Sequence, residues 1–584
     1  DTYPSGDRSV DQGDVLGNSV TIDGRLLTVQ NAITPTGSFE ADTSGASVSI
    51  PYGVITKSIF AINGSTSFAS PVSVSPGDTV TYRVTYTLPT SDFEDLELSD
   101  YLPLPVFTAG EVSTFSNTVC GVPGAGTSCL GPSDSYHSLT GAVSPTLSTT
   151  AAGNNVTWNY GDYDHVSNPS SMIDLVFTMT VNNQPFADGL YLTNQAHVQE
   201  NSTNAGSQDA NAIVQILLQE PFVTISKGTV WTDKAGAVFS PATVGPVAFN
   251  NSCPSFGGTI NSINLAANPI NSNLAGVDAG DTVRMAVVIE NTGRNAAYDV
   301  LAHDALPAGM SFVPGSVCVT NGAGAAIPYS GNANDFVTSG ITLTSLGRGK
   351  MSDGTVVATG SNIAIITYNV TIDATSEALH SYTNTATLTN YAGQPGGPNH
   401  IPGGRTDTAT VTLAPFSAAK TLVNTNQLFT TGNNVAIGEI VTYRVTISVP
   451  EGTTTNVIAR DTLPAGMAFV DCLAVNASAG VTSTIGAWAN ACNDNTNPVI
   501  TSDGTISTWN LGTITNSNND AAAELVQLDY SAVVLNAGVR GNTRQNNVSV
   551  SYTGNVSTQT AAAAGPIITL VEPTLQVVKT VAPT

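Results

Sequence analysis

The sequence predicts an all-β fold, a tandem row of immunoglobulin-like antiparallel β-sandwich domains with Greek-key topology. Three observations predict it. Short motifs recur in a fixed order along the chain, the recurring segments alternate apolar and polar residues at period two, and Gly, Pro and Asn separate them at short intervals. No segment holds a helical period over the ~10–12 residues that a helix needs.

Length and charge set the frame. The 584 residues exceed what one core can organise, and ~150 residues per domain suggests about four units. Charged residues make up 10% of the chain, against ~25% in an average soluble protein. Seventeen Lys and Arg stand against 43 Asp and Glu, a formal net charge of −26 that repels nucleic acid and anionic lipid and argues against both as partners. No run approaches the ~20 apolar residues of a membrane span, and the long stretch Ala561–Val571 is broken by Gly565 and Pro566. With no signal peptide and no Met at Asp1, the chain reads as a processed or excised product whose anchor lies elsewhere.

Each unit opens on a strand carrying a lysine: Ile55-Thr-Lys57-Ser-Ile59, Ile225-Ser-Lys227-Gly-Thr229, Ala418-Ala-Lys420-Thr-Leu422, and once more Val577-Val-Lys579-Thr-Val581. A Gly-acid turn at Gly77-Asp78, Gly280-Asp281 and Gly438-Glu439 then leads into an alternating strand, expected to be half-buried. Next come Asp100-Tyr-Leu-Pro103, Asp304-Ala-Leu-Pro307 and Asp461-Thr-Leu-Pro464, where proline ends the strand because it cannot donate to a ladder. Asn194-Gln-Ala-His-Val198, Asn384-Thr-Ala-Thr-Leu388 and Asn546-Asn-Val-Ser-Val550 close the units. In the last of these Asn547 competes, but a one-residue slip would point it to the opposite face.

The lysines lie 170, 193 and 159 residues apart (57 to 227, 227 to 420, 420 to 579), which divides the chain. Residues 1–53 read as the closing part of a preceding unit, 54–219, 220–414 and 415–572 as three complete units, and 573–584 as a further opening strand. The first part rests on Asp42–Ile50, which loosely parallels Asp407–Leu413. Units above the ~100-residue immunoglobulin standard must carry insertions, expected at Val317–Thr355 and Asn390–Arg405. Each complete unit encloses one cysteine pair: Cys120/Cys129, Cys253/Cys318 and Cys472/Cys492. An even count paired within units implies disulfides and an extracellular, cell-surface location. Reduced buried thiols are the alternative, and no pair has zinc-ligand spacing with a nearby His.

The chemistry rests on the lysines. The chain has six, and four of them, Lys57, Lys227, Lys420 and Lys579, share one repeat position. An amphipathic lysine with its stem on apolar surface and its head in water accounts for one of them but not for the concentration. The sharper reading is an intramolecular Lys–Asn isopeptide bond. Burial would leave a neutral amine as nucleophile and a protonated carboxyl as proton relay. The triads are Lys57/Asp100/Asn194, Lys227/Asp304/Asn384 and Lys420/Asp461/Asn546, with the lysine and asparagine expected side by side on the first and last strands.

These motifs resemble the bacterial surface repeats catalogued as domain of unknown function eleven and the related fimbrial isopeptide-forming domain. The resemblance spans about Val54 to Val571 and is weaker in the first unit, where Asp100-Tyr-Leu-Pro-Leu-Pro departs from the pattern. It implies that the Lys and Asn positions form the crosslink and that the Asp promotes it. An unlinked, hydrogen-bonded Lys–Asp pair is the bland alternative.

The resulting expectation is a non-enzymatic surface stalk, fibre or coat whose partners are copies of itself or neighbouring surface proteins. One alternative is an adhesin binding a glycan or protein through the Ser113–Thr149 stretch or the second unit's insertions. Another is a filament in which the Lys579 strand is donated to a second copy. An enzyme acting on outside substrates fits least, because a buried self-reacting site performs one event. No metal or cofactor is expected, although Gly161-Asp-Tyr-Asp164 offers calcium some oxygens without EF-hand spacing.

Overall fold

The computed structural model describes residues 10–581 apart from 28, 32, 36, 89–92, 113–134, 139–144, 164–170, 202–206, 494–495, 521 and 573–576. Cys120, Cys129, Asp164 and most of the Ser113–Thr149 stretch lie outside the described residues.

Two sheets build each unit. In one, the opening strand pairs with the strand after the Gly-acid turn, which pairs in turn with a third. These are Val54–Ile62, Thr79–Leu88 and Ser171–Thr180 in the first unit, and Val223–Thr232, Thr282–Asn291 and Ile363–Ile372 in the second. In the third unit they are Ser417–Thr425, Ile440–Val449 and Glu524–Val534. The facing sheet holds the Asp-bearing strand (Phe93–Tyr101, Ala297–Ala305 or Gly452–Thr462) beside the first strand of the closing hairpin (Tyr191–Asn201, Ser381–Ala392 or Thr543–Gly554). The chain thus crosses to the second sheet, returns, and crosses again, as in an immunoglobulin-like Greek key. A short strand before the Gly-acid turn runs parallel to the last strand: Ser73–Val74 with Gln208–Leu218, Asn273–Val277 with Arg405–Leu413, and Asn434–Val435 with Ser557–Leu570.

Alternation makes the cores. Along Ile440–Val449 every second residue, Val441, Tyr443, Val445, Ile447 and Val449, is buried. Burying each such side chain contributes roughly 1.5–3 kcal/mol. The second unit departs from the expected half-buried strand. Thr282–Asn291 and Ile363–Ile372 are buried on both faces, because the segment 233–272 folds over the outer side and adds a small core of Val230, Phe256, Ile260, Leu265 and Ile270. This segment lies outside the insertions expected at Val317–Thr355 and Asn390–Arg405. It contains a six-residue helix, Ser262–Ala267, started by a capping box between Asn261 and Asn264 that no helical period announces. Disulfides join Cys253 to Cys318 and Cys472 to Cys492.

Val15–Arg25 and Phe39–Ser49 form an exposed antiparallel hairpin. Asn18 faces Ala46 in it, as Asn384 faces Ala409 in the second unit's closing hairpin. Lys579, expected on an opening strand, is exposed and in no strand, since no ladder partner lies beside it among the described residues.

The first and second units meet at Glu220, which is fully buried with both carboxyl oxygens unpaired. Burial, helped by the nearby Asp188 charge, pushes its pKa up to about 8. The folded state therefore holds a proton that the unfolded chain releases in the usual carboxylate range. Stability from this group is full below that range and is lost as pH rises through about 8. Limited proteolysis of the 219–222 linker should accelerate between about pH 5 and about pH 9, and Glu220→Gln should flatten that dependence.

Candidate functional site

Three lysines point inward. Lys57, Lys227 and Lys420 occupy the core-facing register of their opening strands, opposite Val84, Val287 and Val445 respectively. Their side chains have no solvent exposure, and each amine is ion-paired to the Asp predicted for it: Asp100, Asp304 and Asp461. Those carboxylates stand opposite Ala196, Ala386 and Val548, each two residues beyond the predicted Asn. Asn194, Asn384 and Asn546 are all buried, whereas Asn547 faces solvent. The same three-residue constellation therefore sits at the same register in all three units. One expectation needs correcting: the Lys and Asn strands lie in opposite sheets and face each other across the core. The Asn sits on the first strand of the closing hairpin, and the last strand is its hairpin partner.

A tyrosine completes the site, and sequence reasoning missed it. Tyr368 accepts hydrogen bonds from Lys227 Nζ at 2.9 Å and from Asn384 Nδ2 at 2.8 Å. Tyr530 does the same for Lys420 Nζ and Asn546 Nδ2, both at 2.6 Å. Phe177 holds this register in the first unit, opposite Tyr82, as Tyr530 stands opposite Tyr443. There the Asn194 amide lies against Asp100 and Tyr82, yet neither amide atom nor the Tyr82 hydroxyl completes a hydrogen bond. The rings also line the amines: Lys420 Nζ lies 4.8 Å from the Tyr443 ring centre and 5.0 Å from that of Tyr530. The signal for these tyrosines was their place on the central strand of the Lys sheet, where aromatic residues read as ordinary core. Gly565 is a second missed residue; a Cβ there would lie 3.1 Å from Lys420 Cδ and strike the Asn546 carbonyl.

Burial governs the charges. It lowers the amine pKa at Lys57, Lys227 and Lys420, the last to about 8, and raises the carboxyls of Asp100 and Asp461. The partner charge opposes each shift without reversing it. Both shifts favour a neutral amine beside a protonated acid. One further feature recurs: the second carboxyl oxygen of Asp100, Asp304 and Asp461 and the carbonyl oxygen of Asn194, Asn384 and Asn546 are buried without partners. Leaving such atoms unpaired costs about 1–3 kcal/mol each, and two acceptors can satisfy one another only through a proton.

No protein-family model and no curated protein matches the chain. Similar solved structures include the C-terminal domain of the Streptococcus agalactiae AgI/II polypeptide BspA, at 12% identity over 60% of this chain and 100% of that one, with a TM-score of 0.23. The C-terminal domain of the Streptococcus pyogenes antigen I/II-family protein AspA is 12% identical over 54% of this chain and 98% of that one, with a TM-score of 0.23. The full-length major pilin SpaD from Corynebacterium diphtheriae is 12% identical over 47% of this chain and 65% of that one, with a TM-score of 0.21. At these TM-scores the likenesses carry no argument about this chain.

Oxygen ligands gather elsewhere. Asp278, Asp281 and Glu451, at the junction of the second and third units, bring carboxylate oxygens within 4.8 Å of one another. Lys234 Nζ sits among them, 2.5 Å from Asp278 and 3.9 Å from Glu451, and supplies a positive charge. At the segment with calcium-like oxygens, Asp162 accepts the Asp95 backbone N–H at 3.0 Å. Among the described residues no helix is long and apolar enough to cross a membrane.

Proposed function

We propose that this chain is an extracellular structural protein, a row of immunoglobulin-like units in a surface stalk, fibre or coat, each unit locked by an internal Lys–Asn amide. The observation that carries this reading is the buried Lys–Asp–Asn constellation recurring at one register in three cores. The two disulfides support an oxidising location. In the reaction the neutral Lys Nζ attacks Asn Cγ, a C–N bond forms, and the Cγ–Nδ2 bond breaks. The Asp carboxyl donates to the Asn carbonyl oxygen and passes the amine's proton to the departing nitrogen, which leaves as ammonia. The tyrosine hydroxyl holds amine and amide together in the second and third units. Each site closes on itself: its side chains are shielded from solvent, so it acts once and on its own chain.

Intact mass of the reduced, denatured protein tests the reading. The expected mass is one ammonia below the calculated value for each tied unit; the full calculated mass would remove the crosslinks. Tyr368→Phe and Tyr530→Phe should each slow ammonia loss in their own unit by about tenfold or more, the worth of one hydrogen bond to a reacting group. In freshly refolded protein the third unit should react faster as pH rises through about 8, because Lys420 sheds its proton there.

A further inference from the structure

We propose that the cavity between the first and second units binds a carboxylate-bearing sugar residue, such as a uronic acid within a saccharide chain. This inference stands apart from the crosslinks. The cavity measures about 600 Å³ and is walled by Phe186 and Asp188 of the first unit and by Phe222, Lys350, Tyr391 and Arg405 of the second. That volume falls within the range of small-molecule sites.

Charge is the first argument. In a chain with a net charge of −26, anions are repelled almost everywhere. Lys350 and Arg405 nevertheless face one cavity, and neither has a carboxylate partner among the described residues. The one acid in the wall, Asp188, is already engaged by Arg294 Nη1 at 2.8 Å and by the Glu220 backbone N–H at 3.1 Å. A carboxylate entering the cavity therefore meets two cations without carboxylate partners and one acid already ion-paired to Arg294.

Shape and rigidity narrow the ligand. Arg405 is held in place by a hydrogen bond to the Val223 carbonyl and by stacking 4.5 Å from the Phe222 ring centre, so its guanidinium is oriented before any ligand arrives. Phe186, Phe222 and Tyr391 add aromatic carbon to the wall, with Phe222 the most exposed of the three rings. A sugar ring suits them because one face presents C–H groups while hydroxyls project from its rim. A peptide would instead seek an open strand edge, and loop residues make up most of this wall. Lys350 comes from the Val317–Thr355 stretch and Tyr391 and Arg405 from the Asn390–Arg405 stretch, so two separate segments of the second unit converge here.

The test titrates the full chain with D-glucuronate, D-glucose and a short peptide bearing a free C-terminal carboxylate, followed by calorimetry or ligand-observed NMR. Glucuronate should bind about tenfold or more tightly than glucose, the difference expected for charge-assisted bonds to the carboxylate. Lys350→Ala should weaken glucuronate by about tenfold with an unchanged melting temperature, and Lys350→Arg should restore much of the loss. Equal binding of the two sugars, no binding of glucuronate, peptide binding without glucuronate binding, or an unaffected Lys350→Ala variant would each overturn the assignment.

Discussion

An Asp304→Ala protein should keep the ammonia in its second unit, with the full mass calculated from its own sequence there, and be about 5 kcal/mol less stable. The mass change follows from chemistry: without the acid there is no donor to polarise the Asn384 carbonyl and no relay for the Lys227 proton. The stability change follows from topology. A tie between Lys227 and Asn384 closes a loop of roughly 150 residues, and the chain-entropy treatment of disulfides, applied by analogy, assigns such a closure about 5 kcal/mol. Ala also strips the buried amine of its carboxyl and leaves it with Tyr368 Oη. Asp304→Asn separates the two effects, since it keeps the shape and a partner for Lys227 but cannot relay a proton. Both variants should be equally unlinked, with Ala the less stable. The second unit's own transition must be followed, by hydrogen exchange or calorimetry, because units with separate cores need not melt together. A variant that still lost ammonia from this unit would sink the assignment of Asp304.

The second large effect belongs to the Cys253–Cys318 bridge. Replacing both cysteines by Ser opens a loop of 65 residues, worth up to about 4 kcal/mol. That loop lies inside the Lys227–Asn384 span, so the two closures overlap and their effects should not add. In the crosslinked protein the loss should be smaller than in an Asp304→Ala background. The segment 233–272 should also become the first cleavage site for a non-specific protease, because its own core is small and the bridge ties it to the strand at Cys318–Asn321. Unchanged melting and unchanged cleavage would show that packing alone holds the insertion.

The sandwich was legible in the sequence because alternating strands and repeated turns are local signals. The Lys, Asp and Asn positions were legible for a different reason: an ionisable residue on the core face of a strand contradicts its surroundings, and here the contradiction recurs. Tyr368 and Tyr530 escaped because an aromatic residue on a central strand contradicts nothing. The insertion at 233–272 could have been found by spacing. From the opening Lys to the turn acid takes 54 residues in the second unit (227 to 281), but 21 in the first (57 to 78) and 19 in the third (420 to 439). The double burial of Thr282–Asn291 follows from that insertion, and its near-continuous apolar run Met285–Ile289 was the visible trace.

In every unit the inward lysine lies on the first strand and the facing asparagine on the penultimate one. Once an amide joins them, tension applied along the row enters and leaves each unit through that bond, and the residues between hang slack. The folded-over segment, its cysteine bridge and Lys350 all belong to the slack portion of the second unit. That portion could be rebuilt in evolution without altering how far such a row would stretch.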